Sequence, residues 1–290
     1  MRTAFWCKAC GFSMSDIIKQ SVWGDLRKRL ISAFVLGSVA AACIAIGGVF
    51  YKALVLVIMG GMAAEAATLF GVSLKSWQGV LYCFWAICAG LSAASGYWAY
   101  FPAFCFGAFV FAPALWAIMC LIVAAGTALL WLYLVGVWSV VFVIAVVVAS
   151  DGTAYAVGRL IGGPKLAPRI SPGKTCSGAF GGLVGALLAG LFVAVLSGSG
   201  MFVGAVVWAM VLGVVAQLGD LAESAMKRSL GVKDSGKLLP GHGGLLDRFD
   251  GLVMVAPVAA FISICAVNGG AFWGVTLSDM ASSLVRVLPS

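Results

Sequence analysis

The chain has 290 residues, of which 63% are hydrophobic and only 10% are charged, with a formal net charge of +8 at pH 7. So little charge cannot cover the surface of a water-soluble domain of this length. The composition therefore predicts an integral membrane protein. Charged residues are scattered through the apolar positions of residues 1–30, so we predict no signal peptide there, and a secreted protein is a poor alternative.

The N-terminal half reads as a series of membrane helices. Residues 1–30 form a basic, amphipathic segment, and its positive charge predicts that it stays in the cytoplasm. At about 20 residues per span, the apolar tract that follows accommodates six helices. We place them near 31–49, 53–71, 77–95, 97–112, 114–132 and 134–150.

The C-terminal half alternates charged and apolar segments. Two charged segments, 151–174 and 220–250, enclose an apolar tract long enough for two helices, and one further span is predicted near 251–269. We therefore predict an all-α, polytopic protein with about nine transmembrane helices. Residues 31–150 would form the N-terminal helices and residues 151–290 the catalytic region.

Span parity and the positive-inside rule agree on the position of the two charged segments. An even number of crossings precedes each, so both are expected on the cytoplasmic face of the cell's inner membrane, where nucleotides are found. Because the basic residues lie in short segments between apolar spans, they fit a membrane surface and anionic substrates better than nucleic acid.

The cysteines and the single histidine indicate neither a zinc site nor a histidine base. Of nine cysteines, six lie in apolar stretches and are interpreted as packing residues. Cys7 and Cys10 have a C-x-x-C spacing, but zinc needs about four ligands, and the sequence has no second Cys/His pair. His242 is the only histidine, so it is interpreted as a hydrogen-bond donor.

The charged segments interleave carboxylates with cations. Nucleotidyl transfer to a phosphate requires both, since acidic groups hold Mg²⁺ while Lys and Arg neutralise the remaining phosphate charge. Asp220, Glu223 and Lys227 are spaced to lie on one face of a helix near the end of a span. A carboxylate at that depth is costly and indicates function, although a neighbouring cation could also satisfy it.

Two further motifs favour a metal and phosphate site. Asp247 and Asp250 follow a Gly-rich turn and fall on one side of a helix that begins there, although one carboxylate there could simply favour a helix N-terminus. The segment from Ser171 to Lys174 is a short basic loop that offers a hydroxyl and a cation to phosphate. Asp151 closes the preceding apolar helix.

The stretch Ser224-Ala-Met-Lys227-Arg228-Ser-Leu-Gly-Val-Lys233-Asp234-Ser-Gly-Lys-Leu-Leu-Pro240-Gly-His242-Gly-Gly-Leu-Leu-Asp247-Arg248-Phe-Asp250 closely resembles the signature of phosphatidate cytidylyltransferases. Two further motifs are similar to that family and stand in the expected order, Ser150-Asp151-x-x-Ala-Tyr155 and Lys165-Leu-x-Pro-x-Ile-Ser171-Pro-x-Lys174-Thr. The motifs cover residues 150–250, and upstream only the hydropathy is similar.

The resemblance implies an enzyme that joins CTP to phosphatidic acid in the bilayer, giving CDP-diacylglycerol and pyrophosphate. It implies Mg²⁺ held by Asp220 and Asp247, with K⁺ as an optional second cation, and it leaves a homodimer open. Catalytic roles fall on Asp220, Asp247, Lys227, Arg248 and Lys174. Substrate-binding roles fall on Asp151, Ser171, Lys174, Lys227, Arg228, Lys233, Asp234, His242, Arg248 and Asp250. The chain departs from the family at Ser177, where the family usually has Glu.

Two other functions fit parts of the pattern. A CDP-alcohol phosphatidyltransferase also uses paired Asp residues and Mg²⁺ at the membrane, but its closely spaced Asp motif is missing from the sequence. A secondary transporter could use Glu65, Asp151 and Asp220 as an ion path. The long charged cluster of residues 220–250 argues against transport.

Overall fold

The computed structural model describes residues 35–232, 235–236, 244–266, 271–276, 278–280 and 282. The described fold is almost entirely helical. Its helices are α1 (Val35–Ile46), α2 (Gly48–Leu69), α3 (Trp77–Ala94), α4 (Phe101–Gly107), α5 (Pro113–Val135), α6 (Val137–Leu160), α7 (Cys176–Leu196), α8 (Phe202–Ser229) and α9 (Leu246–Ile264). An antiparallel hairpin, β1 (Lys165–Ala167) and β2 (Ser171–Thr175), joins α6 to α7.

Among the described residues, 6 helices are long and apolar enough to cross a membrane, namely α2, α3, α5, α6, α7 and α8. The described part of α1 and the apolar segment Trp98–Val110, which contains α4, are shorter. Helix α9 carries charged residues in its first turns. The all-α polytopic architecture is thus confirmed, whereas the number of nine spans stays a prediction.

Hydrogen bonds near helix ends show that α3 and α5 run in the same direction and that α2 runs in the opposite one. Tyr82, near the start of α3, donates its hydroxyl hydrogen to the carbonyl oxygen of Leu115 at the start of α5, at 2.8 Å. At the other end of α5, the carbonyl oxygen of Leu129 accepts from the hydroxyl of Tyr51, near the start of α2, at 2.9 Å. Helix ends therefore collect in two groups. One group comprises the end of α6, the hairpin, the end of α8 and the start of α9, and its described residues 151–175, 220–232, 235–236 and 244–250 are here named the charged end.

Small residues bring α6 and α7 into close contact. A Cβ atom added at Gly178 would lie 2.7 Å from the carbonyl oxygen of Ala154, and one at Gly182 would lie 3.0 Å from that of Ser150. Helices in lipid often pack through such small residues at four-residue spacing, because these let the two backbones approach. The close approach fixes the end of α6 against the hairpin and the start of α7.

Six cysteines that were interpreted as packing residues lie within or beside these helices as free thiols, namely Cys43, Cys83, Cys88, Cys105, Cys120 and Cys265. Cys265 is buried and the other five are half-buried. Cys7 and Cys10 lie outside the described residues.

Candidate active site

A cleft of about 460 Å³ opens at the charged end of the helix bundle. Its walls come from α6, the hairpin, the start of α7 and α8. The lining includes Asp151, Tyr155, Ser171, Lys174 and Asp220. The structure thus brings together five residues from the three motifs that sequence analysis singled out.

The hairpin positions Lys174 at the cleft. Strand β2 pairs with β1 in the register Lys165 with Thr175 and Ala167 with Ser171. Thr175 then caps α7, since its hydroxyl oxygen accepts the backbone N–H of Gly178 at 3.1 Å. Because Lys174 directly precedes this cap, its backbone is fixed on both sides.

Lys174 joins the two charged segments. Its Nζ atom lies 2.5 Å from Oδ2 of Asp220, and both side chains are about one-quarter to one-third exposed. A partly exposed ion pair contributes little to stability, because water already solvates both charges well. The contact instead shows that segments 151–174 and 220–250 meet at the same end of the bundle, as the span parity predicts.

Helix α8 presents Asp220, Glu223 and Lys227 on one face, as their spacing predicts. Nζ of Lys227 lies 3.0 Å from Oε2 of Glu223, one turn earlier on the same helix. Oxygen atoms of Asp220, Glu223 and Asp250 all lie within 4.8 Å of one another. Three carboxylates at this distance repel one another in a partly buried site, so they favour a bound cation.

This carboxylate group suits a divalent metal. Glu223 is buried, with 8% of its surface exposed, and its Oε1 atom has no hydrogen-bond partner among the described residues. Buried polar atoms normally find a partner, and carboxylate oxygens are the ligands that Mg²⁺ prefers. The donor set therefore fits the metal that the sequence predicts.

Asp247 is held by the segments around it. Its Oδ1 atom accepts from Nζ of Lys227 at 2.7 Å, and its Oδ2 atom accepts the N–H groups of Ser235 at 3.0 Å and Gly244 at 2.9 Å. Asp250, one turn further along α9, completes the group with Asp220 and Glu223. The predicted role of Asp247 as a metal ligand stays a prediction.

Of the remaining predicted site residues, Arg228 and Arg248 lie at the charged end. Arg228 is exposed and donates from Nε to the carbonyl oxygen of Ile170 at 3.3 Å, which directs it toward the hairpin. Arg248 is exposed in the first turn of α9. Lys233, Asp234 and His242 lie outside the described residues, so their predicted roles are not described.

Ser177, the point of departure from the resembled family, has a hydrogen-bonding role. Its hydroxyl lies 3.1 Å from that of Thr175 and donates to the carbonyl oxygen of Gly162. It therefore ties the start of α7 to the segment that follows α6. A neutral hydroxyl group thus lies where the resembled family usually has the carboxylate of Glu.

The sequence analysis gives no role in the transferase site to two carboxylates that the structure places at or beside it, Glu223 and Glu65. Glu223 stands three residues after Asp220 and four before Lys227, and this spacing was the available signal. Glu65 lies in α2 and is 2% exposed, and its Oε2 atom accepts the backbone N–H of Leu246 at 2.8 Å. Its signal was a lone carboxylate in an apolar stretch.

Fold and site together define a polytopic helical membrane protein with a mixed-charge cleft at one end of its bundle. The chain belongs to the cytidylyltransferase family, whose sequence profile matches residues 27–265.

The chain is similar to several curated relatives over part of their length. A phosphatidate cytidylyltransferase from Brucella abortus is 57% identical over 121 residues, which are 42% of this chain and 45% of the relative. One from Staphylococcus epidermidis is 43% identical over 130 residues, 44% of this chain and 50% of the relative. The uncharacterized protein YnbB of Escherichia coli is 42% identical over 131 residues, 45% of this chain and 44% of the relative. The chain spans about half the length of the curated relatives that it matches.

Proposed function

We propose that the protein is a phosphatidate cytidylyltransferase, which converts CTP and phosphatidic acid to CDP-diacylglycerol and pyrophosphate. The observation that carries the proposal is the group of Asp220, Glu223 and Asp250, with Lys174 and Lys227 in contact with its members. Such a mixture of carboxylates and cations suits the transfer of a nucleotidyl group between two phosphates. The names of the relatives from Brucella abortus and Staphylococcus epidermidis support the same substrates.

In this proposal, Asp220, Glu223 and Asp250 would hold Mg²⁺, with Asp247, the other metal ligand that the resemblance implies, beside them and K⁺ as an optional second cation. When bound, Mg²⁺ would neutralise oxygens of the triphosphate and of departing pyrophosphate. Lys174 and Lys227 contact Asp220 and Glu223, so they would neutralise the phosphate charge that the metal leaves. Arg228 and Arg248, both exposed at the charged end, would contact further phosphate oxygens.

The transfer is a single displacement. An oxygen of the lipid phosphate attacks the α-phosphorus of CTP, and the bond from that phosphorus to the bridging oxygen of pyrophosphate breaks. The attacking phosphate monoester is largely dianionic at neutral pH, since its second pKa is about 6, so it needs no general base. CTP made chiral at the α-phosphorus by sulfur substitution should therefore give inverted product, whereas retention would indicate a covalent cytidylyl enzyme.

The wall of the cleft suits a substrate that is half lipid. Tyr155, which lines the cleft, is 67% exposed, and the neighbouring Leu160 and Ile161 are also largely exposed apolar side chains. An exposed apolar surface beside a charged cleft lets a lipid phosphate reach the site while its acyl chains stay in the bilayer. This arrangement supports phosphatidic acid as the acceptor.

The activity is tested by pyrophosphate release from purified, detergent-solubilised protein. We expect release that requires CTP, phosphatidic acid and Mg²⁺ together, and no release when any one is omitted. A phosphatidyltransferase would instead consume CDP-diacylglycerol in the presence of an alcohol. A transporter would release no pyrophosphate under any of these conditions, so either result would contradict the proposal.

The charged end is proposed to face the cytoplasm at the inner membrane. Cys176 is exposed beside the cleft, and Ser95, an exposed residue at the end of α3, lies at the opposite end of the bundle. In a chain whose other cysteines are replaced, Cys176 should resist an impermeant thiol reagent until the cells are permeabilised. Ser95→Cys with Cys176 also replaced should react in intact cells. The reverse pattern would contradict this orientation.

A further inference from the structure

Glu65 is a buried carboxylate in the N-terminal half of the chain, far in sequence from the cleft. It lies near the end of α2 and is 2% exposed. A buried carboxylate costs free energy unless it is hydrogen-bonded, so its position in an apolar helix requires a reason.

The reason lies at the start of α9. The first backbone N–H groups of any helix have no partner within the helix, and a polar residue just before the helix usually accepts one of them. Helix α9 has Leu245 at that position, which forms no side-chain cap. Oε2 of Glu65 instead accepts the N–H of Leu246, the first residue of α9, at 2.8 Å. A residue 181 positions earlier in the sequence thus supplies the cap that the local sequence lacks.

The residues around the hydrogen bond between Glu65 and Leu246 pack closely. A Cβ atom added at Gly61, one turn earlier in α2, would lie 2.7 Å from Cδ2 of Leu245. One added at Gly236 would lie 2.7 Å from Oε1 of Glu65, and one added at Gly244 would lie 2.8 Å from Oε2. The carboxylate therefore leaves no room for a side chain at Gly236 or Gly244, and it bonds the backbone of Leu246 at the start of α9.

The capped end of α9 carries the two aspartates of the site. Asp247 directly follows Leu246, the residue whose N–H Glu65 accepts. The Asp247 carboxylate accepts the backbone N–H groups of Ser235 and Gly244. Asp250 lies one turn later, within the carboxylate group. A change in the path of this first turn would move both aspartates relative to Lys227 and Asp220.

We propose that Glu65 is a positioning residue for the reaction: by capping α9 it fixes the first turn of that helix, and with it Asp247 and Asp250. The kinetic effect of this role rests on the proposed function, whereas its structural effect rests on the geometry alone. Through Glu65, the N-terminal half of the chain would help to hold these site residues in position.

The structural consequence is tested by amide hydrogen exchange in the full-length, detergent-solubilised chain. Glu65→Ala should increase the exchange rate of residues 244–250 by about 10-fold or more, because the first turn of α9 loses its cap. Glu65→Gln keeps a carbonyl oxygen in place and should remain within about threefold of the original rate. The matched control is Lys52→Met, since Lys52 lies on the same helix and donates a hydrogen bond at the other end of the bundle, to the carbonyl oxygen of Ala94.

The kinetic consequence is measured on the same proteins. Glu65→Ala should lower kcat/KM by about 10–100-fold and raise the Mg²⁺ concentration for half-maximal activity, as loss of a residue that orients metal ligands does. Glu65→Gln should recover most of the activity, and Lys52→Met should behave as the unmodified chain. If Glu65→Ala does not fold, Glu65→Asp carries the test. Its shorter side chain no longer reaches Leu246, so a positioning role predicts a loss that Glu65→Gln does not show.

The outcomes separate this inference from the proposed function. Unchanged exchange and kinetics in Glu65→Ala, in a protein that releases pyrophosphate normally, would overturn the positioning role alone. Faster exchange at residues 244–250 in a chain that never releases pyrophosphate would support the cap and contradict the proposed substrates. An equal loss in Glu65→Ala and Glu65→Gln would also overturn the inference, since a cap requires only the acceptor oxygen.

Discussion

The two halves of the bundle satisfy their polar groups in different ways. In α2, α3 and α5, buried tyrosines donate to backbone carbonyl oxygens, as Tyr51 does to Leu129 and Tyr82 to Leu115. At the charged end, side chains bind one another, as in the contacts of Lys174 with Asp220 and of Lys227 with Asp247. Hydrogen bonds to backbone carbonyl oxygens fix the helices relative to one another. Clustered charges are costly to bury without a bound substrate or metal, so they indicate a binding site.

The comparison indicates that the N-terminal helices act mainly as a scaffold and the C-terminal helices carry the chemistry. Glu65 is the exception, since it lies in the scaffold and contacts the start of α9. Substitutions at the charged end should therefore reduce activity while the protein stays folded. Substitutions in the scaffold should reduce stability while kcat stays unchanged.

The largest expected effect is that of Asp247→Asn. This change keeps the shape of the side chain but removes the charge that faces Lys227, and it places an amide where two backbone N–H groups donate. We expect kcat/KM to fall by about 100–1,000-fold, as when one preorganised electrostatic contact of an active site is lost. The measurement is pyrophosphate release by monodisperse protein.

The control for that variant is Asp279→Asn. Asp279 is a partly exposed carboxylate outside the cleft that accepts from the backbone N–H of Thr276, so its loss should leave kinetics unchanged. A turnover rate of Asp247→Asn close to that of the unmodified chain would remove Asp247 from the site.

A smaller loss is expected for Lys174→Met. It removes a cation that lines the cleft and contacts Asp220, so kcat/KM should fall by about 10–100-fold, mainly through a higher KM for CTP. Lys75→Met is the matched control, because Lys75 is an exposed lysine in the turn between α2 and α3. Equal kinetics for the two lysine variants would show that Lys174 does not contact the nucleotide.

Packing between α6 and α7 should affect stability more than chemistry. An added Cβ in Gly182→Ala would lie 2.7 Å from Nε2 of Gln217 and 3.0 Å from the carbonyl oxygen of Ser150. Overpacking of this kind costs about 1–3 kcal/mol of unfolding free energy. Gly152→Ala is the matched control, since nothing lies within 4 Å of its added Cβ. Thermal unfolding in detergent should show a lower Tm for Gly182→Ala alone, and equal Tm values would refute the close contact.

The smallest effect belongs to the scaffold. Tyr51→Phe removes one buried hydrogen bond to Leu129 and should cost about 0.5–1.5 kcal/mol of unfolding free energy, with kcat unchanged. A matching loss of kcat would break the division of the bundle into scaffold and site. Both quantities can be measured on one preparation.

Local patterns of sequence predicted much of the fold and part of the site. The spacing of Asp220, Glu223 and Lys227 predicts one helix face, and the structure confirms it, because a helical repeat is a property of neighbouring residues. The order of apolar and charged segments likewise predicts the order of helices. The number of spans is harder, since Trp98–Val110 is shorter than a typical span and no charge marks its boundaries.

Contacts between distant segments could not be predicted in the same way. The sequence does not show that Glu65 meets Leu246, because that contact depends on how α2 packs against α9. It also cannot show that Asp250 completes the carboxylate group while Asp247 binds Lys227, because the two aspartates stand only three residues apart. Such choices depend on helix rotation and on loop geometry.

The central claim is that the charged end transfers a cytidylyl group from CTP to a lipid phosphate. Its most direct test follows CTP labelled at the α-phosphorus in a reaction with purified protein and phosphatidic acid. The account predicts that the label moves into the chloroform-soluble phase, that one pyrophosphate is released for each label transferred, and that Asp247→Asn slows both by about 100–1,000-fold. Label that remains in the aqueous phase with fully folded protein would contradict the account.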